Sequence, residues 1–99
     1  MKNMIIEIKT AYCNEKYFLP VNKNKSIEVQ IDMALADYGY CDAYEIIAYK
    51  EVTEEYIKER NKIIVEYEEK YEPIEDAFCC GTLATLESIK EDMKWRESL

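Results

Sequence analysis

Apolar and polar positions along the chain alternate first with the period of strands and later with that of helices. From Met4 to Thr10, Ile6, Ile8 and Thr10 alternate with Glu7 and Lys9, the pattern of a half-buried strand. Asn14-Glu15 reads as a turn. Lys16 to Val21, rich in aromatic and β-forming residues, reads as the second arm of an N-terminal hairpin. Pro20 assigns that arm to a sheet edge or a strand end, because proline lacks an amide hydrogen for a ladder. The run Asn22-Lys23-Asn24-Lys25 is a polar loop.

Ser26 to Tyr38 fits both periods. Ile27, Val29, Ile31 and Met33 alternate like a strand, whereas Ile27, Ile31, Ala34, Leu35 and Tyr38 recur like a helix face. Capping decides for the helix: Ser26 can accept from the first free amides, Glu28 and Asp32 suit the positive N-terminal turns, and Gly39 stands where a C-cap glycine belongs. Tyr44 to Val52, with Tyr44, Ile46, Ile47, Ala48 and Tyr49, is the clearest strand. Thr53 can cap a long helix that Pro73 ends, with Tyr56, Ile57, Ile63, Ile64, Tyr67 and Tyr71 on its apolar face. Leu83, Leu86, Ile89 and Met93 mark one face of a last helix, which Thr82 can cap after Gly81. The expected fold is α+β, a small antiparallel sheet in the order β-β-α-β-α-α packed against helices.

Length turns this pattern into a single expected domain over residues 1–99, since a chain of this size closes one modest core with little room for a deep cavity. No apolar run approaches the roughly 20 residues of a membrane span. The N-terminal patch is too short for a signal peptide, so the expected compartment is the cytoplasm. The cysteines Cys13, Cys41, Cys79 and Cys80 then read as free thiols.

Net charge is −8. This argues against direct binding to nucleic acid or to an anionic membrane, both of which need basic patches, and it suits a partner that is itself basic. The charge is uneven: residues 1–25 carry +3, residues 26–50 carry −4, residues 51–76 carry −6 and residues 77–99 carry −1. Histidine is absent, which removes the commonest general base and metal ligand.

Four constellations are left to weigh. At about 100° per residue, Glu55, Glu59, Glu66 and Glu69 share one side of the long helix, interrupted by Lys62. They read either as a solvated face or as a line of negative charge that competes with nucleic acid for a basic groove. Tyr38, Tyr40 and Tyr44 surround a connection that also holds Asp37 and Asp42. Tyrosine beside acid is the composition of interface anchors and of an ordinary packed turn alike. Cys79 and Cys80, just before a helix start, offer a small thiol or redox domain as the alternative. Against it stand the missing histidine, the lack of a C-x-x-C motif, and Glu75 and Asp76 close by. Paired carboxylates are abundant enough that no pair stands out, and nothing calls for a metal or a cofactor.

One stretch resembles a known family. Leu19-Pro20, the segment with Ala34-Leu35-Ala36, Tyr38-Gly39-Tyr40 and Tyr44-Glu45-Ile46-Ile47 follow each other much as in the N-terminal domain of ArdA-type antirestriction proteins. Those are acidic DNA mimics of mobile elements, and the likeness covers residues 17–50. It implies a phage or mobile-element protein that blocks a basic nucleic-acid-binding protein of the restriction, CRISPR or transcription machinery. An adaptor or a homodimer joined through strand edges or Trp95 is the remaining alternative.

Overall fold

The structure is a computed structural model that describes residues 2–37, 40, 42–78 and 83–99. The chain forms two compact units, Met1–Val52 and Thr53–Leu99.

The first unit is a three-stranded antiparallel sheet with one helix. Its elements are β1 (Lys2–Thr10), β2 (Asn14–Val21), α1 (Ile27–Asp37) and β3 (Tyr44–Glu51), in the sheet order β2-β1-β3. The central strand has the strictest pattern. Met4, Ile6 and Ile8 are buried on one face, with Leu19 and Val21 of β2 and with Ile31 and Leu35 of α1. Helix α1 lies on this face, where Asp32 meets the hydroxyl of Tyr44, the β3 residue opposite Thr10. On the other face Ile5 stands opposite Phe18.

Local chemistry sets the boundaries. The hairpin turn is not at Asn14-Glu15, as the sequence pattern suggests, but at Ala11 to Cys13, and β2 already begins at Asn14. Thr10 closes it, its hydroxyl accepting from the amides of Tyr12 (3.2 Å) and Cys13 (3.1 Å) and donating to the Cys13 carbonyl (2.9 Å). A threonine that satisfies three backbone groups ends the strand without glycine or asparagine. The helical reading of 26–38 holds over Ile27–Asp37, with Ser26 accepting from Val29 (3.4 Å). The residues that a strand would have buried, Val29 and Met33, are exposed. Gly39, its expected C-cap, and Tyr38 lie outside the described residues. Gln30 ties α1 to the loop after β2: its side chain accepts from the Asn22 amide (2.7 Å) and donates to the Asn22 carbonyl (2.8 Å).

Hydrogen-bond directions follow from two bonds. Val52 donates to the Asn3 carbonyl (3.0 Å), and the Thr10 amide donates to Cys13 on the β2 side (2.9 Å). The odd residues of β1 therefore face β3, and the even ones face β2. Pro20, opposite Asn3, turns its nitrogen to the free edge of β2, where no ladder needs a donor. The β1–β3 pairing contains a bulge. Glu7 pairs with Ala48 and Ile8 with Ile46, so Ile47 is the extra residue.

The second unit is helical: α2 (Glu54–Lys70), α3 (Ile74–Ala77) and α4 (Leu86–Glu97). Thr53 caps α2 as expected, accepting from Tyr56 (3.1 Å). Helix α2 stops at Lys70, ahead of Pro73, and Pro73 instead opens the short α3, an element the pattern did not predict. Here Glu68 accepts from the Ile74 amide (2.9 Å) and secures the entry of α3. The expected cap Thr82 lies outside the described residues, and the helix it was to open begins later, at Leu86. Thr85 is the cap, accepting from Ser88 (3.2 Å), and Leu83 is buried just ahead of the helix. Tyr67, Ile74, Ala84, Ile89 and Met93 form the core, with Ile63, Ile64, Tyr71, Ala77 and Phe78 packed on it.

Candidate interaction surfaces

The acidic side of α2 is built by the helix period. Glu55, Glu59 and Glu69 are exposed and Glu66 is half-buried. The side does not lie squarely opposite the apolar face. It borders α4, and Glu59 accepts from the Lys90 ammonium at 2.9 Å. Further along α2, Lys70 and Glu97 make a looser pair at 3.9 Å. Exposed pairs of this kind contribute about 0–1 kcal/mol each, but the first one neutralises Glu59. Glu55, Glu66 and Glu69 make no ion pair among the described residues.

Helix geometry fixes the density of this line. Glu69 stands fourteen positions after Glu55, a rise of about 21 Å. The three carboxylates without an ion pair among the described residues give, over that length, roughly one charge per 7–10 Å, against one per about 3.4 Å along a single DNA strand. The line is thus sparser than a phosphate backbone. It can steer a basic partner, with affinity left to other contacts.

The tyrosine connection belongs to the first unit. Tyr40 and Tyr44 are half-buried and meet edge to face, centroids 5.5 Å apart. Their hydroxyls are engaged inside the chain. Tyr40 donates to Glu15 (3.2 Å), which also takes the Tyr17 hydroxyl (2.9 Å), and Tyr44 donates to Asp32. Partial burial, then the bond to Asp32, pushes the Tyr44 pKa up to about 12. Asp37 and Asp42 are exposed. The structure thus joins Tyr40 and Tyr44 to each other and to Glu15, Tyr17 and Asp32, which sequence reasoning did not single out. No sequence signal marks Glu15, because its partner Tyr40 is twenty-five residues away. The expected anchor Tyr38 lies outside the described residues, as do Cys79 and Cys80 of the thiol alternative.

In the second unit three side chains of α2 reach the last helix and its entry: Tyr56 and Tyr67, expected on the apolar face, and Arg60, which the pattern missed. Arg60 is buried, and its Nε donates to the Ala84 carbonyl at 2.8 Å. Burial draws its pKa below the ordinary value. The Tyr56 hydroxyl accepts from the Leu86 amide (3.0 Å) and donates to Glu87 (2.9 Å). Tyr67, fully buried, donates to Asp92 (2.6 Å), which also accepts from Arg96 (2.9 Å). Arg96 reaches Glu72 at 2.7 Å and lies over the rings of Tyr67 and Tyr71, 5.5 and 5.1 Å from their centroids. Desolvation pushes the pKa of both Tyr56 and Tyr67 up to about 12, with a further rise from Glu87 and Asp92 respectively. Each of these groups is committed to another part of the fold, so they act as internal fasteners.

Among the described residues no helix is long and apolar enough to cross a membrane. Compared with known proteins, the chain matches no family model, no curated protein and no solved structure.

Proposed function

We propose that this chain is a non-enzymatic, acidic interaction protein of the cytoplasm that occupies the basic surface of a nucleic-acid-binding protein and so inhibits it. The partner belongs to restriction, CRISPR or transcription machinery, and the source is a phage or mobile element. One observation carries the reading: Glu55, Glu66 and Glu69 line one side of α2 without an ion pair among the described residues. Charge distribution supports it. Thr53–Leu99 holds thirteen acidic and seven basic residues, whereas Met1–Val52 holds eight and six. The likeness of residues 17–50 to acidic antirestriction proteins points the same way. The carboxylates raise the association rate, and the half-buried Tyr40 and Tyr44, with the exposed Asp37 and Asp42 close to them in sequence, supply contact area.

The test is capture from host lysate with the wild-type chain and with a Glu55→Gln, Glu66→Gln, Glu69→Gln variant, which leaves the Glu59–Lys90 pair intact. The expected result is a nucleic-acid-binding protein held by the wild type, displaced by duplex DNA, and largely lost by the variant. A partner held equally by both would overturn the reading. So would a complex that survives about 1 M salt, where charges are screened beyond about 3 Å.

A further inference from the structure

We propose that β3 is a self-pairing edge, through which two copies of this chain join their sheets antiparallel about a two-fold axis between Ile47 and Ala48. The proposal stands independently of the acidic surface. It rests on the exposure, hydrogen-bond direction and charge of β3.

Strand β3 lies at the sheet edge, with β1 its ladder partner. It is the more exposed of the two edges: every residue from Ile47 to Glu51 is exposed, and Ile47 and Tyr49 keep 44% and 46% of their surface. A long edge strand bearing large apolar side chains is a template for pairing with another strand. The opposite edge, β2, is guarded by Lys16 and Pro20 on its outward positions.

Ala48 and Lys50, opposite Glu7 and Ile5, spend their backbone groups on β1, so Tyr49 and Glu51 turn theirs outward. Beyond the bulge the parity switches. Glu45, opposite Lys9, faces β1, and Tyr44 and Ile46 face outward. An unbulged strand pairs its outward residues with outward residues of the same parity. Here the bulge makes one half even and the other odd. Ile46 can therefore pair with Tyr49 of a second copy, and Tyr44 with Glu51, each through outward backbone groups.

The side chains fit the same register. Glu45 falls opposite Lys50, Ile46 opposite Tyr49, and Ile47 opposite Ala48 of the second copy. A two-fold axis normal to the sheet preserves faces. Glu45 and Lys50 both lie on the face away from α1, as do their β1 neighbours Lys9 and Ile5, whereas Ile46 and Tyr49 share the face of Ile8 and Ile6. Unlike charges meet on each side of the two-fold axis, with apolar contacts between them, and each such pair favours association. Neither Glu45 nor Lys50 makes an ion pair among the described residues. This charge complementarity specifies a second copy as the occupant.

Sedimentation equilibrium of the wild type, of Glu45→Lys and of Lys50→Glu tests the proposal. The wild type should dimerise, and each single variant should dissociate about tenfold more readily, since like charges then face each other twice. An equimolar mixture of the two variants should regain dimers, because unlike charges return at both positions. Lys50 faces Ile5 within its own chain, so Lys50→Glu remains informative if Glu45→Lys, which faces Lys9, unfolds. A wild type that stays monomeric at its highest soluble concentration overturns the proposal. It is equally overturned by a dimer indifferent to both substitutions and lost on Trp95→Ala.

Discussion

Arg60 shows how a single side chain can belong to the core while looking like surface. It shares the helix side of Tyr56, Ile63, Ile64 and Tyr67, and its guanidinium satisfies the Ala84 carbonyl where the chain turns into α4. Arg60→Met keeps an apolar stem and removes the donor. The expected loss is about 1–3 kcal/mol, the usual effect of stranding a buried polar group, read from urea unfolding. Glu55→Gln on the exposed side should stay within about 0.5 kcal/mol. The apolar pattern of the helix leaves Arg60 out, because a charge at an apolar position is equally a long stem reaching past the core to water. Tyr40 and Tyr44 were legible as a cluster because they stand close together in the sequence. Their acceptors Glu15 and Asp32 were not, since they come from β2 and α1.

At the scale of elements, caps carried most of the legible information. Thr53 before α2 was read correctly, because an N-cap depends on four consecutive residues. Thr85 was missed in favour of Thr82, and both precede suitable helix starts. What separates them is the burial of Leu83 and Ala84, a tertiary fact. Each cap accepts one amide at 3.1 to 3.2 Å. Thr53→Ala and Thr85→Ala should each lower stability by about 1 kcal/mol, seen as a lower urea midpoint with unchanged slope. The bulge at Ile47 had no sequence signal at all: Tyr44 to Tyr49 reads as an uninterrupted strand, and the extra residue exists only relative to β1. The short α3 was hidden likewise, because Pro73 signals a helix end in sequence but here stands at the start of one.

For the molecule as a whole, the α+β class and the order of strands and helices were present in the alternation, and the added α3 leaves that class unchanged. Tyrosine titration gives a prediction at this scale. Tyr44 in the first unit, and Tyr56 and Tyr67 in the second, are held protonated up to about pH 12 in the fold, against about 10 in an unfolded chain. Their contribution to stability is whole below pH 10 and falls as pH rises from 10 to 12, since the unfolded state loses these protons first. Chemical denaturation across that window should show the decline, and Tyr67→Phe should make it shallower.

The proline in β2 has a consequence for assembly. A sheet with two receptive edges can be extended without limit and grows into a filament, whereas a sheet with one has a valence of one. Pro20 offers no amide to an incoming strand, and Lys16 sets a charge on the same rim. Any strand exchange by this protein is therefore chain-terminated: β3 accepts one neighbour, β2 declines the next, and growth halts after a single step.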